Sequence, residues 1–299
     1  MVTIVCIAKG NNISLELMAN LISLNIMDYA GTKADTLSIT LTNAIKRPKA
    51  EDDIKIWIDG VFYGTFLVEK TVTNHLNELT IEATSANFSQ SLKVKRNRSS
   101  KDTDLHSIIK KIAVANKLKT KIDFTNISFT NIIQEKESDL HFLNRLATKY
   151  DAIFSIKNDT LIFLKRDAEF PSFIVDLNDC FPWSIEHISR EKYSSCKVIW
   201  RDTKANGTKS IIVGEGEPIL TKDGSFVSEE EAQLVGKAEL AKSKRGEKKG
   251  SFNKRGEYIS AGSQIVIISS VQDNGNYTVE SVSTTVSVEG FRIDVAFTN

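Results

Sequence analysis

The residues of this 299-residue chain that could do chemistry are, first, its acids. Asp28, Asp35, Asp139, Asp176 and Asp179 invite a glycosidase reading, in which one carboxyl protonates the leaving group and another attacks or activates water. That reaction needs two carboxyls at a fixed separation across a sugar-binding cleft. These residues instead sit in predicted turns or at a helix cap, where Asp serves the backbone. The four histidines, His75, His106, His141 and His187, show no ligand spacing, and no HExxH, zinc or EF-hand pattern occurs. There is no GxSxG, and no motif sets a histidine beside Cys6, Cys180 or Cys196. These cysteines are odd in number and form no CxxC pair. They read as small buried hydrophobes of a protein made in a reducing cytoplasm. No catalytic set, metal or cofactor is expected.

Gly214-Glu215-Gly216-Glu217-Pro218 has two glycines of a phosphate loop but lacks the third, and the Lys-Ser/Thr pair as well. Its carboxylates would repel phosphate, so a surface turn is expected. Two basic clusters remain. Lys93 to Arg98 joins two segments of different period, and Lys242 to Arg255 holds seven basic residues against one acid. A polyanion contact is one reading. A solvated linker and a helix C-terminus is the favoured one, because neither segment carries the aromatic ladder of a single-strand binder. The overall balance, 39 Lys and Arg against 38 Asp and Glu, also argues against a general polyanion binder.

The elements that must position these residues follow from periodicity. The length favours two or three domains. No apolar run is long enough to cross a bilayer. The start, MVTIVCIAKGNN, lacks a basic region and a cleavage-like site, and reads as a first strand rather than a signal peptide. From residue 1 to 92 the period is two: Leu37, Ile39 and Leu41 alternate with polar residues, as do Ile54, Ile56 and Ile58. Asp59-Gly60 is a hairpin turn signal. From 93 to 166 a compact α+β unit is expected. Its first helix carries Leu105, Ile108, Ile109, Ile112 and Ala113, with Asp102 or Thr103 as N-cap. Ser138 caps the second, where Glu137 and Asp139 suit the helix dipole. Leu140, Leu143, Leu146, Ala147 and Tyr150 form its apolar stripe. A hairpin through Lys157-Asn158-Asp159 follows. From 167 to 299 strands return, with Asn274-Gly275 as a hairpin turn. They are interrupted by one helix at about 229–245, opened by a Ser228/Glu231 capping box, lined by Ala232, Val235, Ala238 and Ala241, and ended by Gly246. The fold class is mainly β (α+β).

In order and spacing, these segments resemble the late control protein D family of phage tail proteins. The run from Asp28 through Gly31 and Asp35 to Leu41 is similar to the family's opening strand pair, and Gly64 to Glu69 to its G-x-F-x-V strand. Gln134, Glu137, Ser138, Asp139, Phe142, Leu143, Leu146, Ala147 and Tyr150 are similar to its most recognisable signature. Glu231, Arg245-Gly246, Gly262, Gly275, Tyr277 and Gly290-Phe291 resemble its closing region. Asp151 departs from the pattern, since a glycine commonly follows the tyrosine; Asp there must tolerate the left-handed conformation.

The resemblance implies two tail-tube-like antiparallel β-barrel domains, 1–92 and 167–299, with the α+β domain 93–166 between them. It implies a homotrimeric baseplate hub of a contractile tail, related to the N-terminal part of type VI secretion spike proteins. Six barrels of three subunits would match the hexameric tail tube to the three-fold spike. Asp35, Gln134, Glu137, Ser138, Asp139, Leu143, Tyr150 and Gly246 are then scaffold residues. Implied partners are other copies, the spike, tail-tube and baseplate proteins, and a tape-measure contact. No stable nucleic-acid or small-molecule ligand and no membrane insertion are implied. The location is the virion tail, assembled in the host cytoplasm. Because the sequence ends at Asn299 straight after a strand, the spike is expected as a separate chain. A tailocin or type VI-like hub is the near alternative, and a tail-associated cell-wall hydrolase the distant one.

Overall fold

The computed structural model describes residues 2–31, 33–42, 46–85, 90–157, 159–166, 172–189, 193–202, 207–226, 228–270 and 272–299. Thr32, Asn158 and Asp167, which fall in the expected opening motif, hairpin turn and domain edge, lie outside these residues. In chain order the elements are β1 (Ile4–Ala8), β2 (Asn11–Asn12), α1 (Ser14–Asn20), β3 (Leu21–Tyr29), β4 (Thr36–Thr42), β5 (Asp53–Ile58), β6 (Val61–Thr73) and β7 (Glu78–Ser85). Next come α2 (Gln90–Lys93), β8 (Lys95–Asp104), α3 (Leu105–Ala115), β9 (Lys119–Asp123), β10 (Ser128–Ser138), α4 (Asp139–Tyr150), β11 (Ala152–Lys157) and β12 (Thr160–Lys165). The last are β13 (Ser172–Asp176), a 3-10 turn (Leu177–Asp179), β14 (Trp183–His187), β15 (Ser195–Asp202), β16 (Gly207–Gly214), β17 (Ile219–Gly224), α5 (Glu229–Lys244), β18 (Lys248–Arg255), β19 (Gln264–Ile268), β20 (Gly275–Ser287) and β21 (Gly290–Thr298). The chain is mainly antiparallel β, as expected.

Two compact units form. One joins Met1–Ser89, Phe170–Glu186 and Lys249–Asn299; the other joins Gln90–Glu169 and His187–Lys248. The residues expected as one C-terminal domain are thus divided between both units, and α5 lies with 90–169.

The first unit is built on one sheet in the order β14-β18-β21-β20-β3-β4-β7-β6-β5-β1-β2, with β19 also on β20 and β13 on β19. Alternation does what the period predicts: Leu37, Ile39, Leu41, Ile54, Ile56 and Ile58 are all buried. The sheet carries two separate apolar cores. One is centred on β1 and β3–β7, and the other on Val175, Phe252, Ile265, Tyr277, Ile293 and Phe297. β3 and β20 pair antiparallel from Tyr29↔Ser281 to Ser23↔Ser287, and half-buried Phe291 packs on both cores. Asp59 and Gly60, with φ of 47° and 80°, make the β5–β6 turn. The short helix α1 buries only Leu17 and so leaves no helical stripe in the sequence.

Three local expectations are corrected or refined. Asn274-Gly275 closes the β19–β20 hairpin as expected, but off its centre: Gly275 already opens β20 opposite Ile267, and Asn274 Oδ1 accepts the Ser270 N–H. Asp28 lies in β3 rather than in a turn, and its Oδ2 accepts the Ala261 N–H at 2.8 Å. The basic run to Arg255 is only partly a helix end, since Lys248–Arg255 form β18 and pair with β21.

In the second unit β8 pairs with β10, and β9 joins the β11–β12 hairpin in a three-stranded sheet. A further sheet, β16-β15-β17, takes α5 over Cys196, Val198 and Trp200, with Ala232 from the helix. Gly236 brings α5 close: a Cβ there would lie 2.8 Å from Val213 Cγ2 and 3.0 Å from Val198 Cγ2. The N-cap of α3 is Asp104, not Asp102 or Thr103, because β8 stays paired to β10 through Asp104↔Ser128 before the helix begins.

Candidate functional site

The side chains of the α4 signature meet in one polar clasp within the second unit. Ser138 caps α4, its Oγ accepting the His141 N–H at 3.2 Å. Asp139, the first helical residue, has a fully buried side chain and would be costly there without compensation. Compensation comes from β8. Arg98 Nη1 donates to Asp139 Oδ1 at 3.0 Å, and Arg96 Nε faces Oδ2 at 3.6 Å. Gln134, also buried, donates through Nε2 to Asp139 Oδ1 at 2.9 Å and to the Glu137 carbonyl at 3.0 Å. Glu137 points the other way and receives Arg145 Nε on both oxygens at 3.2 Å. Arg145 also donates to the Ile133 carbonyl at 2.9 Å. His141 Nδ1 lies 3.3 Å from Glu137, while the ring itself is exposed.

The far end of α4 reaches α5. Tyr150 Oη and Lys149 Nζ each donate to Glu231 Oε1 at 2.7 Å, while the Glu231 N–H donates to the capping Ser228 Oγ at 3.2 Å. Burial and the Glu231 carboxylate push the Tyr150 phenol well above its ordinary range. Asp151 ends α4 in the left-handed conformation (φ 57°, ψ 41°), as its departure from the family glycine requires. Its carboxylate then takes Arg245, with one bond at 2.7 Å and another shorter, and Arg166 at 2.9 Å. The acid is thus a ligand for two arginines as well as a stand-in for glycine.

Leu143 lies in the core under the clasp, and Gly246 follows the α5 cap with φ of 75°. Asp35 belongs to the first unit, where its Oδ1 accepts the Tyr29 N–H at 3.0 Å and its carbonyl the Ser85 N–H. Sequence reasoning missed Arg145 and the pairing roles of Arg96, Arg98, Arg245 and Glu231. Lys93 to Arg98 is not a solvated linker, since Lys95 to Arg98 begin β8. The signal was the i, i+2 spacing of Arg96 and Arg98, which puts both on one face of a strand.

The arrangement is a fastening. Its carboxylates are each held by cations, and no group of three or more potential metal ligands occurs among the described residues. The three thiols are buried; burial raises all of them, Cys6 to about 12, so none is a ready nucleophile. No helix among the described residues is long and apolar enough to cross a membrane.

No family profile matches the chain. It is 28% identical over 214 residues to the probable baseplate hub protein of Escherichia phage 186, covering 66% of this chain and 55% of that protein. It is 32% identical over 213 residues to the corresponding protein of Escherichia phage P2, covering 65% and 55%. The chain therefore spans about half the length of the curated relatives it matches. By fold it is similar to the 43 kDa tail protein of prophage MuSo2 from Shewanella oneidensis (TM-score 0.75, 14% identity, 99% of this chain and 98% of that one). It is also similar to a type VI secretion component of E. coli, described as resembling T4 tail proteins gp27 and gp5 (TM-score 0.61, 10% identity, 93% and 73%). At these identities the structural likeness is one of fold. The relatives in sequence are named as hub proteins, not as enzymes. In sequence over about two thirds of its length the chain is thus similar to the baseplate hub proteins of phages 186 and P2, and in fold to phage tail proteins.

Proposed function

We propose that this chain is a structural subunit of a contractile-tail hub, a homotrimer that joins the hexameric tail tube to a three-fold spike. The observation that carries the proposal is the first unit's single sheet with two separate cores, which gives each subunit two β lobes. Three copies present six lobes toward a six-fold tube and three equivalent positions toward a spike. On this reading the lobes are the two tube-like barrels, and the α4 clasp stiffens the α+β part. The partners are the spike, tube and baseplate proteins and a tape-measure segment, and the location is the virion tail after assembly in the host cytoplasm.

Multi-angle light scattering of the purified chain, alone and with its spike, tests this. A trimer, or a trimer formed only with spike, is expected; a monomer that never joins the spike sinks it. The fold likeness to a type VI component favours a second reading, a hub in a secretion apparatus or tailocin. Neighbouring genes separate the two: capsid and packaging genes mark a phage. Purified protein should not clear a peptidoglycan suspension, which a cell-wall hydrolase would.

A further inference from the structure

Beside the clasp, the second unit holds a niche of about 40 Å³ lined by Arg98, Ser100, Lys111 and Gln134, with Ile112 and Phe142 among its apolar walls. Size narrows what it can hold. It exceeds the roughly 10–15 Å³ that one water needs. It is far below the roughly 300 Å³ at which organic-ligand pockets begin.

Charge sets the sign. Arg96 and Arg98 share the single buried carboxylate of Asp139, and Lys111 adds a third cation. Among the described residues, Arg98 uses only Nη1 in a hydrogen bond, and the Lys111 ammonium and Ser100 hydroxyl have none. Three sets of donors thus line one small space, with surplus positive charge behind them, and among the described residues the Gln134 amide is the only other polar side chain in the lining.

We propose that this niche binds one small inorganic oxyanion, held by Arg98, Ser100 and Lys111, which offsets the surplus charge around Asp139. A guanidinium fork and an ammonium suit the oxygens of such an ion, and the apolar walls reduce competition from water. The ion acts as an added fastener of the β8–α4 contact. The proposal does not depend on the hub reading.

The test titrates the whole chain with sodium phosphate, ionic strength being held constant with chloride, while Tm is followed. A saturable rise in Tm is expected for the native sequence. Lys111 is exposed on α3, so its variants should fold. Lys111→Gln should weaken phosphate binding about tenfold, the loss of one charge-assisted bond. Lys111→Glu should abolish the response, because it places its own carboxylate beside Arg98. A phosphate effect equal in all three proteins, or no saturable rise in the native one, overturns the proposal.

Discussion

Asp139 has no accessible side-chain surface, and its charge is tolerated because Arg96, Arg98 and Gln134 converge on it. Removing one member of a buried pair strands the other, commonly at about 3–5 kcal/mol. Both arginines remain about one-third exposed, so water absorbs part of that loss. Asp139→Ala should therefore cost about 2–3 kcal/mol, read by urea denaturation. Tyr150 gives a pH-dependent counterpart. The native state holds its phenol neutral, while the unfolded chain ionises near 10. Its contribution is intact below pH 10 and lost as pH rises beyond, because only the unfolded state then releases the proton. Tyr150→Phe should cost about 1–2 kcal/mol at neutral pH, the worth of one buried hydrogen bond to a charged group. It should also make the alkaline fall in stability shallower; an unchanged slope would show that other groups cause it.

At the scale of elements, α4 and α5 were legible from their stripes and caps, since 3.6-residue spacing and capping chemistry are local, although Ala241 of the expected α5 stripe is exposed. β8 was not, because KRNRSSKDTD has no apolar alternation at all. It is a strand only because β10 supplies the backbone partners and Asp139 the counter-charge. The division of 167–299 between the two units was equally invisible, as it depends on which distant strand completes which sheet. Close packing of α5 on its sheet hangs on Gly236. A Gly→Ala change in a helix ordinarily gains up to about 1 kcal/mol of propensity. Here even a Cβ overlaps two valine methyls, and overpacking costs about 1–3 kcal/mol. Gly236→Val, which adds bulk with little propensity gain, should lower stability by about 2 kcal/mol, seen as a fall in Tm with the helix signal retained at low temperature.

For the whole molecule, two units with cores of their own predict unfolding in more than one step. Scanning calorimetry of the isolated chain should resolve two transitions. Asp139→Ala should lower the one belonging to 90–169 and 187–248 while leaving the other in place. A single transition that shifts as a whole would show that the units are thermodynamically one. On the proposed hub reading, assembly with a spike should raise the transition of whichever unit makes the contact.

By itself the sequence determined the fold class and its local grammar. The period-two strands, the capped helices, the Asp59-Gly60 turn and the α4 signature are interactions between residues close in the chain. The likeness to phage hub proteins rested on the order and spacing of those segments rather than on their periodicity. Only the tertiary structure decided what that signature is for. Asp139 meets Arg98 across 41 residues, Tyr150 meets Glu231 across 81, and Asp151 meets Arg245 across 94. Contacts of such separation leave no periodic trace in the sequence, because they are set by which strands and helices the cores bring together.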